Sequence, residues 1–97
     1  MSNYDRGANF ERRCQKRLEK EGWFVIRSAG SHSLIDLAAF KGGEVILVQC
    51  KTDGKLSINE REQLKELARM TCCQVFMLSR QGNKMISEGI KEESRGK

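Results

Sequence analysis

The chain has 97 residues, of which 38% are hydrophobic and 32% are charged. This length fits one domain and leaves no room for two, and the balance excludes an intrinsically disordered protein. Lys and Arg total 18 against 13 Asp and Glu, which gives a net charge of +5. A basic surface on a small domain favours a polyanionic partner such as nucleic acid, although ordinary solubility charge explains the same excess.

The cysteines and the single histidine limit the kinds of site that the chain can hold. The four cysteines contain no C-x-x-C pair and the chain has one histidine, His32, so we expect no structural zinc site. The sequence shows no signal-peptide pattern and no apolar run near the roughly 20 residues that span a bilayer. These features predict free thiols in a reducing, cytoplasmic compartment and no membrane contact.

The first predicted element is a helix over residues 5–21, with Asp5 as its N-cap and Gly22 just beyond its end. Its apolar residues recur every four positions and predict one buried stripe. These residues are Phe10, Cys14 and Leu18.

Three strands are predicted next, over residues 23–27, 34–40 and 44–51. The polar stretch 28–33 predicts a loop, and Lys41-Gly42-Gly43 predicts a tight hairpin turn. The third strand is the most apolar segment of the chain, so we expect it to lie at the centre of the sheet. Asp36 is a lone acid in the otherwise apolar second strand.

A second helix is predicted to end near Thr71, with a capping box at Ser57 and Glu60 or at Asn59 and Glu62. A fourth strand over 74–79 and a short fifth strand over 84–86 follow, and residues 87–97 are expected to fray. The order is α-β-β-β-α-β, in which the helical crossover brings in the fourth strand. We therefore expect one domain over 1–97 with its core at about 6–86.

The end of the third strand carries the first candidate site. Side chains alternate across a sheet, so Gln49 and Lys51 share one face, and the hairpin brings Asp36 toward them. An acid and an amide oxygen suit Mg²⁺, which prefers oxygen ligands, with Mn²⁺ as the alternative ion. Such a metal activates water for phosphodiester hydrolysis, and a lysine stabilises the developing charge. The competing interpretation is that Gln49 and Lys51 are plain solvated residues, but burying an unpartnered Asp36 is costly.

Glu11 is the second carboxylate candidate because it borders the buried stripe of the first helix. It is placed to reach the sheet edge and join Asp36. Taken alone, Glu11 is better explained as a surface partner of Arg12, Arg13 or Gln15.

The run RGANFERRCQKRLEKEGWFVIRSAGSHSLIDLAAFKGGEVILVQCK resembles archaeal-type Holliday junction resolvases and related phage resolvases of the PD-(D/E)XK nuclease superfamily. The family has a Glu in the first helix, an Asp on the second strand and (D/E)-x-K at the end of the third. Glu11, Asp36 and Gln49-Cys50-Lys51 fall on these positions in order. Arg12, Arg27, the loop 28–33 and Gln63 match further positions, and the similarity covers about residues 6–79.

This resemblance implies an α/β, restriction-endonuclease-like αβββαβ core, with a central mixed sheet flanked by helices. It implies metal ligation by Asp36, the Gln49 side-chain oxygen, the Cys50 backbone carbonyl and Glu11, with Lys51 as the catalytic lysine. It further implies a homodimer that nicks opposing strands of a four-way DNA junction symmetrically during recombination and repair, in a prokaryotic or phage-infected cell.

The departure at position 49 keeps other functions open. Gln49 replaces the usual acid, so one ligand is neutral and metal affinity should be lower. A restriction- or repair-type nuclease on the same fold is one alternative. A DNA-binding module with a decayed site is the other, and the retention of Glu11, Asp36 and Lys51 together argues against it.

Phosphate contacts are expected from cations and small polar residues around the site. The sequence shows no recognition-helix pattern for reading bases, which favours binding directed by DNA structure. The DNA-binding candidates are Arg6, Arg12, Arg13, Arg27, Ser31, His32, Ser33, Lys55 and Arg61.

Overall fold

The structure, a computed structural model, describes residues 3–28 and 34–90, with side chains from residue 9 onward. Within these residues the order of elements is α-β-β-β-α-β-β, in which the last strand contains the predicted short fifth strand. The elements are α1 (Asn3–Lys20), β1 (Phe24–Arg27), β2 (Leu37–Lys41), β3 (Glu44–Cys50), α2 (Ile58–Thr71), β4 (Gln74–Gln81) and β5 (Lys84–Ile90).

Helix α1 begins at Asn3, so the prediction that Asp5 caps it is wrong: Asp5 lies inside the helix. Its end was predicted correctly, because Gly22 adopts a left-handed φ of 101°. There the Trp23 amide donates to the Leu18 carbonyl (3.1 Å) and the Gly22 amide to the Glu19 carbonyl (3.0 Å). This pair of bonds is a Schellman motif, which satisfies carbonyls that the helix itself leaves open.

The strands form one five-stranded mixed sheet in the order β1-β2-β3-β4-β5. All neighbours are antiparallel except β3 and β4, which are parallel as a helical crossover requires. The β2–β3 hairpin turns through Gly42 and Gly43, whose φ angles of 57° and 86° are both positive. Such a turn matches the twist of the flanking strands, and it fixes the register in which β2 faces β3.

The two helices cover opposite faces of the sheet. Along β4, Phe76 and Leu78 pack with the α1 stripe, whereas Val75 and Met77 pack with Leu64 of α2. The predicted α1 stripe is confirmed, since all three of its apolar residues are buried. Each helix thus buries one side of a thin, three-layer core.

Helix α2 begins at the Ser57–Glu60 capping box, the first of the two predicted alternatives. The predicted strand 84–86 is longer than expected, because β5 continues to Ile90 and pairs there with Val75. The expectation that residues 87–90 fray is therefore wrong, and residues 91–97 lie outside the described part.

All four cysteines are free thiols. Neither described helix combines the length and apolarity that crossing a membrane requires.

Candidate active site

Asp36 lies at the junction where the chain enters β2. Its backbone amide donates to the Val48 carbonyl (2.8 Å), so it stays in register with β3 although the strand proper begins at Leu37. Its carboxylate Oδ2 in turn accepts a 2.7 Å hydrogen bond from the backbone amide of Cys50. The carboxylate of Asp36 is thereby fixed against the last two residues of β3, as the hairpin geometry predicted.

The side chain of Gln49 is buried and points at the same carboxylate. One terminal atom of its amide lies 3.1 Å from Asp36 Oδ2 and 2.8 Å from the Leu34 carbonyl oxygen. With nitrogen at that position the amide donates to both oxygens, which is a complete metal-free arrangement. With oxygen there, three oxygens converge and need a cation or a proton between them. The amide is therefore assigned with its nitrogen toward Asp36 Oδ2 and the Leu34 carbonyl, which gives both oxygens a donor.

Glu11 reaches Asp36 from α1, so the structure brings the two carboxyl groups together. They are close enough for each to shift the pKa of the other. Arg27 Nε lies 4.0 Å from Glu11 Oε1, on the outer side of the pair. Sequence reasoning alone gave Glu11 a surface ion pair, and the structure gives it a carboxylate neighbour as well.

Burial in the folded protein raises the pKa of both carboxyl groups. Burial raises the pKa of Glu11, and the nearby charge of Asp36 raises it further. Burial also raises the pKa of Asp36, although the Cys50 hydrogen bond and the nearby Lys51 ammonium oppose that rise. Pairs of this kind are typical of sites that bind a cation.

This pairing gives a prediction for metal-free protein in EDTA. A carboxyl whose pKa is raised by folding contributes stability at low pH, and that contribution is lost as pH rises from about 4, the ordinary carboxyl range, through the raised pKa. Wild type should therefore lose stability relative to Asp36→Asn between pH 4 and pH 7. Urea unfolding of both proteins at the two pH values measures this difference. Equal differences at both values would mean that the carboxyls do not interact in the free protein.

Lys51 follows β3 directly, and its amide donates to the Leu78 carbonyl (2.9 Å), so it continues the strand. Its ammonium Nζ lies 3.0 Å from Glu60 Oε2, at the start of α2. The pKa of Glu60 is lowered by the hydrogen bond from the Ser57 amide and next by that of Lys51. Sequence reasoning treated Glu60 as a helix cap alone, and no pattern indicated its contact with Lys51.

The predicted DNA-binding residues fall into three groups. Arg12, Arg13 and Lys55 are exposed, and Arg27 lies beside Glu11. Arg61 is paired with Glu88 of β5 at 3.0 Å, so it is already engaged. Arg6 lies on α1, but its side chain is outside the described part. Three further candidates from the predicted loop also lie outside the described residues: Ser31, His32 and Ser33.

A separate groove lies between α1 and the β4–β5 half of the sheet. Leu18, Trp23 and Met85 are among the residues that line it, together with Glu21 and Glu44. None of the candidate site residues lines this groove. The groove is therefore separate from the candidate active site.

Fold and site together define a class. A mixed sheet with one helix on each face is the restriction-endonuclease-like α/β fold. Here the central strand ends in the sequence Gln49-Cys50-Lys51, which Asp36 contacts through the Cys50 amide and the Gln49 side chain. The model of the family of archaeal Holliday junction resolvases, Hjc, matches residues 2–92. The chain belongs to this family.

Two relatives agree with this assignment. The structure of the Holliday junction resolvase Hjc from Archaeoglobus fulgidus aligns with a TM-score of 0.74 and 26% identity, over 88% of this chain and 73% of that one. A Methanocaldococcus jannaschii protein named crossover junction endodeoxyribonuclease Hjc is 52% identical over 52 residues. That match spans 54% of this chain but 38% of the relative's length.

Proposed function

We propose that this protein is a Mg²⁺-dependent endodeoxyribonuclease that resolves four-way DNA junctions, with Mn²⁺ as the alternative ion. It would act as a single nuclease domain in the reducing cytoplasm of a prokaryotic or phage-infected cell. The observation that carries the proposal is the meeting of Glu11, Asp36 and Gln49 beside Lys51 at the end of β3. The names of the two relatives above support the substrate.

The residues present fit a hard divalent cation. Their donors are all oxygens: the carboxylates of Asp36 and Glu11, the Gln49 amide oxygen and the Cys50 backbone carbonyl. No cluster of three or more His, Cys, Asp or Glu side chains exists within the described ranges. Amide and backbone oxygens must therefore complete the set, as they commonly do for Mg²⁺ and Ca²⁺. When bound, the metal polarises a phosphoryl oxygen and lowers the pKa of a coordinated water.

The protein's own groups then have separable tasks. Glu11 and Asp36 would hold the cation, and their negative charge keeps the reacting phosphate out of the site until the cation is present. The surrounding Lys and Arg side chains bind the rest of the DNA without the cation. Lys51 places an ammonium beside Asp36, where it stabilises charge that develops on the phosphoryl oxygens. Hydrolysis joins the water oxygen to phosphorus and breaks one bridging P–O bond, while the water's proton passes to solvent or to the departing oxygen.

The cations around this end of the sheet supply the DNA contacts. Arg12 and Arg13 are exposed on α1, and Lys55 is exposed on the loop after β3. Arg12 and Arg13 directly follow Glu11 on α1, and Lys55 lies on the loop that begins after Lys51, so these cations are available to a phosphate backbone at the end of β3. These contacts position DNA without reading bases, which suits recognition of a branched shape.

We expect a homodimer, because paired nicks on opposing strands need two active sites. The face of β1 and β2 away from α1 leaves apolar side chains uncovered: Phe24 is 67% exposed, Ile26 50% and Phe40 38%. The rings of Phe24 and Phe40 lie 6.3 Å apart and form one patch. We place the second copy of the chain on this patch, because contiguous exposed apolar surface marks interaction sites.

Analytical ultracentrifugation tests this placement. Wild type should sediment as a dimer and Phe24→Ser as a monomer, because the substitution removes a large apolar contact from the patch. Met70→Ser is the matched control, since Met70 is 66% exposed and lies on α2 rather than on β1 or β2. If Phe24→Ser remains a dimer while Met70→Ser becomes a monomer, the interface lies on α2 and the proposed placement is wrong.

The function itself is tested with a synthetic four-way junction beside a linear duplex of matched sequence, each with Mg²⁺ and with EDTA. Paired, metal-dependent nicks on the junction alone are the expected result. Cutting of both DNAs would indicate a restriction- or repair-type nuclease. Binding without cutting in either Mg²⁺ or Mn²⁺ would indicate a DNA-binding module with a decayed site, in which Gln49 is the inactivating change.

A further inference from the structure

The carboxylate of Glu60 makes two different contacts with its two oxygens. Oε1 accepts a 3.0 Å hydrogen bond from the backbone amide of Ser57, which closes the capping box of α2. Oε2 accepts a 3.0 Å hydrogen bond from Nζ of Lys51. The Ser57 hydroxyl completes the box by accepting from the Glu60 amide at 3.0 Å. One acid thus joins the rigid start of a helix to the side chain that follows β3.

The position of Lys51 makes this contact consequential. Its side chain is 28% exposed, so solvent and the protein compete for the ammonium. The preceding residue on the same face, Gln49, carries no charge that would hold it. The ammonium lies on the face of the sheet that carries Gln49, and its charge lowers the pKa of Asp36. Without an anchor, a lysine with four rotatable side-chain bonds samples many positions outside the site.

We infer that Glu60 is a positioning residue that holds the ammonium of Lys51 at the candidate active site. The inference rests on the proposed function and adds to it a residue from α2, outside the strand end and α1. Because the capping box fixes the Glu60 carboxylate, the lysine is oriented before DNA arrives. Glu60 itself does not touch the substrate.

The capping box provides a substitution that separates the two contacts. Gln closes a capping box as Glu does, because its single oxygen accepts from the Ser57 amide. Its nitrogen then faces the Lys51 ammonium, and two donors repel. Glu60→Gln therefore keeps the helix cap and loses the anchor. Ser57→Ala does the reverse, since it removes the hydroxyl of the box and leaves the Ser57 backbone amide that holds Glu60.

The experiment compares wild type, Glu60→Gln and Ser57→Ala in full-length protein. Single-turnover cleavage of the four-way junction in Mg²⁺ gives the chemical rate, junction binding in EDTA gives Kd, and urea unfolding gives stability. Glu60→Gln should cut about 10–100-fold more slowly, as losing an outer partner of a site commonly does, with Kd and stability unchanged. Ser57→Ala should be less stable and cut at the wild-type rate. A wild-type rate in Glu60→Gln, or equal slowing in both variants, would overturn the inference.

A second readout does not need cleavage. The ¹⁵Nζ resonance of Lys51, assigned by its absence from Lys51→Ala, should be observable in wild type and Ser57→Ala because a bonded ammonium exchanges slowly. It should broaden beyond detection in Glu60→Gln, and an unchanged resonance there would overturn the inference. If wild type fails to cut the junction while the resonances behave as expected, the proposed function fails and the anchoring of Lys51 stands.

Discussion

Asp36→Asn is expected to abolish metal-dependent cleavage of the four-way junction while leaving junction binding intact. Asp36 is the group on which the Cys50 amide, the Gln49 amide and the Glu11 carboxyl all converge. Asn removes the charge that would hold the cation but keeps one oxygen to accept from the Cys50 amide, so the fold should persist. Mutation of a residue that only contacts a metal ligand already lowers activity by about 10–100-fold. Loss of the central carboxylate should therefore lower the cleavage rate by more than about 100-fold.

The measurement is single-turnover cleavage in Mg²⁺ together with junction binding in EDTA. Asp53→Asn is the matched control, because it also removes one negative charge but lies on the exposed loop after β3. The control should cut at the wild-type rate. Unchanged cleavage by Asp36→Asn would rule out the proposed site. Loss of junction binding by that variant would show that Asp36 contributes to DNA binding or to folding instead.

The fold could be predicted where local chemistry decides the outcome. The four-residue repeat of Phe10, Cys14 and Leu18 specifies one face of a helix, and all three are buried in the core. Gly42 and Gly43 permit the positive φ angles of a tight turn, which sets the β2–β3 register. Because register and alternation determine which side chains meet, the meeting of Asp36 with the end of β3 followed from the sequence.

Strand β5 could not be predicted to its full length for a physical reason. Its residues KMISEGI are mostly exposed, so the segment has neither an apolar run nor a clean alternation. It is a strand because β4 offers a free edge, with which every position from Lys84 to Ile90 pairs. Pairing of this kind is a tertiary effect, and the sequence of the segment alone gives too weak a signal.

The site could be predicted in part. The identities of Asp36, Gln49 and Lys51 follow from strand alternation, but the contact of Lys51 with Glu60 depends on the path of the loop between β3 and α2. The S-x-x-E pattern that identified the helix start already accounted for Glu60. A residue that satisfies a local rule can carry a second, long-range contact, and only the distance between Nζ and Oε2 reveals it.

Lys51→Ala is expected to lower the rate of junction cleavage by more than about 100-fold, because it removes the charge aimed at the phosphoryl oxygens. Stability should change by less than about 1 kcal/mol, since the ion pair with Glu60 is partly exposed and such pairs contribute little. Single-turnover cleavage, junction binding and urea unfolding of the variant measure these effects separately.

Lys84→Ala is the matched control for this experiment, because it removes an exposed lysine at the β4–β5 turn, outside the candidate site. It should cut as wild type does. If Lys51→Ala unfolds while the control stays folded, Lys51 is structural and its bond to Glu60 serves to tie α2 to β3. If Lys51→Ala remains folded, binds the junction and fails to cut it, the ammonium acts in the chemical step, and the carboxylate of Glu60 acts through it.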